Sequence, residues 1–192
     1  DSEYLRGWAI QLELEDREAS PAVVKRLVEL ARLDPSPVVR LYLASGLQRL
    51  PLDRRWEIAR NLLQHADDAG DHNLPLMYWY AVEPHVPADP DRALGLAAQS
   101  RIPLVSQFIY RRAAADEQGL PKLLAAIGAA PNEVTLKTML TEVLNVVKSS
   151  GQLAMPAGWP EVYARLAASP DATVRQQAQF ITIKFGDKSI FP

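Results

Sequence analysis

The densest grouping of chemically capable side chains is His65, Asp67, Asp68, Asp71 and His72, five ligand-type residues within eight positions. Carboxylate-rich loops bind calcium through oxygen, but the EF-hand spacing with its central glycine and terminal glutamate is absent here. A helical zinc pair needs histidines four residues apart, whereas His65 and His72 are seven apart. The same residue types are those of a turn between helices: Gly70 ends one helix, Asp71 or Asn73 caps the next, and Pro75 fits its first turn. Capping is therefore the expected role, with no metal and no cofactor. The acidic run Glu13, Glu15, Asp16 and Glu18 could pass for paired carboxylates, but is read as a solvated helix end and turn. Only three histidines, His65, His72 and His85, are present, with no GxSxG elbow and no phosphate-cradling glycine loop. No catalytic residue is expected, and the chain is not expected to be an enzyme.

The elements that hold these residues belong to a chain of 192 residues, 48% hydrophobic and 23% charged, within the ordinary globular range. A compact chain of this length buries roughly 70% of its unfolded surface, so it needs no disulfide or structural metal. It has 0 cysteines, which removes thiolate metal sites, thiol catalysis and covalent haem attachment from these residues. The net charge of -2 lacks the basic excess that binding a phosphate backbone requires. Nucleic acid is thus an unfavoured partner. No stretch approaches the 18 or so apolar residues of a membrane span. The sequence starts at Asp1-Ser2 without methionine and runs directly into the helical pattern of Tyr4 to Ile10. It reads as an excerpt of a longer protein.

An internal repeat organises the chain. Pro37-Val38-Val39-Arg40-Leu41-Tyr42-Leu43 aligns with Pro75-Leu76-Met77-Tyr78-Trp79-Tyr80-Ala81 and with Pro103-Leu104-Val105-Ser106-Gln107-Phe108-Ile109. Leu5-Arg6-Gly7-Trp8-Ala9 adds an earlier copy, so Trp8, Tyr42, Tyr80 and Phe108 recur at spacings of 34, 38 and 28. Two-helix repeat units have such periods. Between the copies lie amphipathic partner helices with aliphatic residues three and four apart: Val24 to Ala31, Trp56 to Leu63, Ala93 to Ala97 and Leu120 to Ile127. They are broken at Asp34-Pro35-Ser36-Pro37, Asp67 to Asp71, Pro87 to Pro90 and Ala130-Pro131-Asn132. The last third continues with a long helix over Val134 to Val147, then Trp159 to Ala167 and Val174 to Phe185. One large aromatic at the same place in each unit predicts that Trp8, Tyr42, Tyr80 and Phe108 fill the core between layers.

Asp34-Pro35-Ser36-Pro37-Val38-Val39-Arg40 followed by Leu43, Ala44 and Leu47 resembles the second helix of a HEAT repeat, and Ser169 to Arg175 with Ala178 is similar. The resemblance implies an all-α fold, a right-handed α-α superhelix of about five HEAT-like helix pairs over residues 1–192 as a single repeat domain. It also implies that Asp34 and Arg40 tie adjacent repeats together. The middle copies depart from it, with Tyr78 and Ser106 where the arginine belongs. The stretch Asp71 to Ala81 with Glu83-Pro84 resembles, more narrowly, the helical region of large bacterial multidomain proteins. Those proteins join a sugar-dehydrogenase-like propeller, HEAT-like repeats and a haem-binding cytochrome c domain. That likeness implies an exported or periplasmic parent whose redox chemistry sits in other domains, since no CxxCH occurs in this chain.

The functional expectation is a non-catalytic scaffold whose concave face holds a protein partner or an adjacent domain of the same chain. Tyr78, Trp79 and Tyr80 span about 200° of a helix and cannot share one apolar stripe. With Tyr80 assigned to the core ladder, at least one of Tyr78 and Trp79 is expected at the surface. The expected contact residues are Tyr78, Trp79, Glu83, Gln107, Arg111 and Arg112, with His72 at the edge. Two other readings stand beside it. One is a HEAT-like nucleic-acid enzyme of the DNA glycosylase type, with Arg40, Arg49, Arg101, Arg111, Arg112 and Lys137 as a basic face. The other is an architectural spacer.

Overall fold

The computed structural model describes residues 2–187, and among these every regular element is helical. In chain order they are α1 (Glu3–Glu13), α2 (Pro21–Leu33), α3 (Pro37–Leu47), α4 (Leu52–Leu62), a 3₁₀ turn at Ala66–Gly70 and α5 (Leu74–Val82). The short α6 (His85–Ala88), α7 (Pro90–Gln99), α8 (Pro103–Ala114), α9 (Gly119–Gly128), α10 (Glu133–Ser149), α11 (Trp159–Ala167) and α12 (Ala172–Lys184) follow. The Phe180 to Phe185 run, the most strand-like in the sequence, lies in α12 and its C-terminal cap. No helix among the described residues is long and apolar enough to cross a membrane.

Capping chemistry sets the boundaries. Ser20 and Ser36 accept hydrogen bonds from the Val23 and Val39 amides, and a proline follows each at the first helical position. Asn132 caps α10 through the Thr135 amide at 2.9 Å, and Asp171 caps α12 through the Thr173 amide at 2.7 Å. Before α5, Asp71 accepts from the Asn73 and Leu74 amides at 2.8 and 2.9 Å, and these bonds hold its carboxyl below the usual carboxylate range.

The chain forms two compact units, residues 2–85 with 99–106, and residues 86–98 with 107–187. In the first, α1 packs beside α3 and α3 beside α5, while α2 packs beside α4 in a second layer against α3 and α5. Two glycines permit the close approach of α1 and α3: a Cβ on Gly7 would meet the Tyr42 ring at 2.5 Å, and one on Gly46 would meet Leu14 at 2.6 Å. Leu27, Ala31, Val39, Leu43, Leu47, Ile58, Leu62 and Leu63 fill the space between the layers. Side chains of α4 and the turn after it reach carbonyls of α2, Asn61 to Val28 at 3.2 Å and His65 to Ala31 at 2.7 Å.

In the second unit, α10 packs beside α12 and α9 beside α11, with α11 also against α12. Trp159 is its largest buried side chain. The indole donates to Thr182 Oγ1 at 2.9 Å and stands edge-on to Phe185 at a centroid distance of 5.4 Å.

The aromatic ladder expected in the core is corrected by the structure. Trp8 is 61% exposed and Tyr80 52% exposed, while Tyr42 and Phe108 are half-buried. The buried aromatic of α5 is instead Tyr78, at 1% exposure, which removes it from the expected contact residues. The rotational phase is the reverse of the one expected. Arg6 and Arg40 sit two residues before Trp8 and Tyr42, and Tyr78 sits two before Tyr80. Two positions turn a helix by about 200°, so when the first member points inward the second points out. The inward members are fixed by buried carboxylates.

Candidate interaction surface

Two buried carboxylates, Asp34 and Asp68, hold the inward-facing side chains of α1, α3 and α5. Arg6 donates to both oxygens of Asp34, at 2.7 and 3.0 Å, and Arg40 to both oxygens of Asp68, at 2.6 Å each. Forked pairs of this kind are the strong form of charge-assisted hydrogen bond. Burial alone would raise the Asp34 carboxyl, yet the Arg6 bonds and the Ser36 amide hold it below its usual value. In α5 the arginine position carries Tyr78, whose hydroxyl donates back to Asp68 at 2.6 Å. Asp68 thus serves Arg40 and Tyr78 together. Arg40 Nη1 also donates to the Asp34 carbonyl at 3.1 Å, joining the two links through one backbone group.

Burial raises the Tyr78 hydroxyl pKa well above the ordinary tyrosine value, reinforced by its bond to the Asp68 carboxylate. Burial likewise pushes Tyr110 to about 12. A tyrosine whose folded pKa exceeds its unfolded value stabilises the fold fully below about pH 10, and this contribution is lost as pH rises. Of the six tyrosines, Tyr78 and Tyr110 are expected to ionise only as the chain unfolds, and Tyr78→Phe should weaken the alkaline loss of stability. A titration at 295 nm checks this: six reversible ionisations near pH 10 with helicity intact would contradict it.

With these residues drawn inward, the opposite side of α1, α3 and α5 is left to form a surface. Between them lies a half-open cavity of about 590 Å³, lined by Gln11, Leu14, Leu41, Tyr42, Ser45, Gly46, Arg49, Asn73, Leu76, Met77 and Tyr80. Its volume and mixture of an apolar lining with a few polar groups suit a ligand group or a cluster of partner side chains. No carboxylate lines it. The Arg49 guanidinium makes no ion pair among the described residues and also lines an adjoining recess with Trp8, Leu12, Glu15 and Arg17.

The expected contact residues are placed as follows. His72 is exposed in the turn before α5, Trp79 is half-buried on α5, and Glu83 is half-buried at its C-terminal cap. In the second unit Gln107 is half-buried. Arg111 bonds Glu142 at 2.7 Å and lies over the Phe108 ring at 5.7 Å, and Arg112 pairs with Asp116 at 3.8 Å. Both arginines are therefore engaged within their own unit. In the basic set read as a nucleic-acid face, Arg40 is buried against Asp68 and Lys137 bonds Glu133 and Asp171 at 2.9 and 2.5 Å.

Sequence reasoning missed Tyr80, Leu76 and Met77 as groove residues, and placed Arg49 only in the basic face of the nucleic-acid reading. The signal was present, because Arg6 and Arg40 reach the Asp34 and Asp68 carboxylates and Trp8 and Tyr42 follow them by two positions. The His65 to His72 group divides: His65 bonds a carbonyl, Asp68 is buried in the ion-pair network, Asp71 caps α5, and Asp67 and His72 are exposed. Asp68 is thus no cap, a correction to the reading of the whole group as a turn. Among the described residues no cluster of three or more His, Cys, Asp or Glu is placed to hold a metal ion. Glu13, Glu15, Asp16 and Glu18 are all exposed at the end of α1 and the turn beyond it.

Set against family models, curated proteins and solved structures, the chain matches none. The functional reading rests on the residues themselves.

Proposed function

We propose that this chain is a non-catalytic, HEAT-like helical-repeat module, a solenoid scaffold that holds a protein partner or an adjacent domain on the α1, α3 and α5 face. The observation that carries the reading is the groove: an apolar cavity of about 590 Å³ with Tyr42, Tyr80, Leu76 and Met77 in its wall and Arg49 at its edge. Aromatic side chains beside arginine are the usual anchors of protein interfaces. The two forked pairs Arg6–Asp34 and Arg40–Asp68, each closing over 28 residues, support the repeat reading because they join successive helix pairs in the same way. The HEAT-like resemblance of Asp34 to Leu47 points the same way. The narrower resemblance makes the adjacent domain a redox domain of a larger exported protein.

The test is site-specific photo-crosslinking of the chain expressed in its native setting, with the reactive residue placed at position 45 in the groove or at position 57 on the α4 side. A discrete adduct is expected from position 45 and not from position 57. It should be lost in the Leu76→Ser, Tyr80→Ser variant, whose melting temperature changes little because both side chains are partly exposed. Equal adducts from the two positions, or an adduct indifferent to the substitutions, would remove the groove as the contact surface.

A further inference from the structure

Separate from the groove, α1 carries a second apolar surface. Tyr4, Leu5, Trp8 and Leu12 are all exposed, and their positions cover about 100° of the helix. Single exposed apolar residues are ordinary, but four large ones in one stripe mark a contact surface. We propose that this outward face of α1 docks an amphipathic partner helix presenting a small residue followed, three and seven positions later, by aliphatic residues.

The repeat itself states what covers such a face. A shift of 34 residues carries Ser2, Leu5, Arg6, Trp8 and Leu12 onto Ser36, Val39, Arg40, Tyr42 and Gly46. The register is fixed by the two arginines, each of which forks onto an aspartate 28 residues later. In α3 two of these positions meet α1: the Tyr42 ring lies on Gly7, and Gly46 lies against Leu14 and Ile10. Leu5 is 67% exposed where its counterpart Val39 is 0% exposed. The face that α1 offers to α3 is thus Gly7, Ile10 and Leu14, a small residue with aliphatics three and seven further on. A helix standing to α1 as α1 stands to α3 continues the same row and receives the Trp8 ring on its small residue, as Gly7 receives Tyr42. This inference does not rest on the groove being an interface.

The experiment uses the whole chain and a helix-constrained synthetic peptide of residues 2–17. In the peptide Tyr4, Leu5, Trp8 and Leu12 are replaced by Glu or Lys, so its apolar face is Gly7, Ile10 and Leu14 and it contains no tryptophan. Titration should give a saturable blue shift of the protein's tryptophan emission that is absent from its Trp8→Phe variant. Affinity should fall about tenfold or more when the peptide carries Gly7→Leu or the protein carries Leu5→Asp and Leu12→Asp. No saturable shift, or binding indifferent to Gly7→Leu, overturns the proposal. Sedimentation of the chain alone supplies the other arm: a dimer dissociated by Leu5→Asp and Leu12→Asp would assign the face to a second copy, which also overturns it.

Discussion

Asp68→Ala is expected to lower the unfolding free energy by about 3 to 5 kcal/mol, the cost of removing one partner from a buried ion pair. The carboxylate takes two bonds from Arg40 and one from Tyr78, all at 2.6 Å, so its loss strands a buried guanidinium and a buried hydroxyl together. An exposed pair such as Arg26–Glu29 contributes only about 0 to 1 kcal/mol. The difference is a matter of solvent, because water cannot reach Arg40 to replace the lost partner. Against a total stability of about 5 to 15 kcal/mol, the variant should approach the edge of folding. Replacing both members, Arg40→Met with Asp68→Leu, should recover most of the loss, since no unpaired charge is then left behind. Urea denaturation of the three proteins decides it: a loss for Asp68→Ala no larger than that of a surface pair would mean that the network is not a structural link.

Trp159→Ala should cost the second unit about 3 to 5 kcal/mol, the usual range for truncating a packed tryptophan. Trp159 is the largest side chain buried among α9, α11 and α12, and its removal leaves a cavity too large for the neighbours to fill. The Thr182 hydroxyl loses its indole donor but keeps its own bond to the Ala178 carbonyl at 2.8 Å, so it is not left orphaned. Trp159→Phe should therefore cost less, because it keeps most of the apolar contact with Phe185. Faster hydrogen exchange should appear first in α11, in α12 and at Leu153, whose amide bonds the Lys184 carbonyl at 3.0 Å. Unchanged exchange there, with melting unaltered, would show that the indole is not what joins α11 to α12.

The helices were legible because period and punctuation agree. Proline, serine and aspartate at Ser36-Pro37 and Asp171 both end one element and cap the next, and the aliphatic stripes of α2, α4 and α9 face inward as their spacing requires. Rotational phase was harder to read. Trp8, Tyr42 and Tyr80 recur faithfully, and a recurrent aromatic suits a core layer as well as a surface row. Hydrophobicity cannot separate the two. What separates them is electrostatic: Arg40 must meet Asp68 inside, and Tyr42, about 200° further round, must then turn to α1 and the groove. The groove is hidden in the sequence for the same reason, since a core Tyr80 leaves only Tyr78 and Trp79 for the surface of α5. The division into two compact units has no marker in composition, because Pro87 to Pro90 and Ala130 to Asn132 carry the same turn chemistry as every other break.

The forked pairs also bear on how the chain reaches its fold. Several side-chain bonds within each unit join residues 28 to 36 positions apart, about the length of one helix pair. Closing a loop of that size costs little more entropy than closing one half as long, about 0.6 kcal/mol per doubling. Chains whose contacts are this local fold quickly, because no distant segment must be awaited before a contact can form. During synthesis, Arg6 can engage Asp34 as soon as α3 begins to emerge, and Arg40 can engage Asp68 one pair later. Each link can therefore form before the carboxylate of the next has been made. Mispairing is resisted as well, since an arginine that skips a carboxylate leaves a charge buried alone.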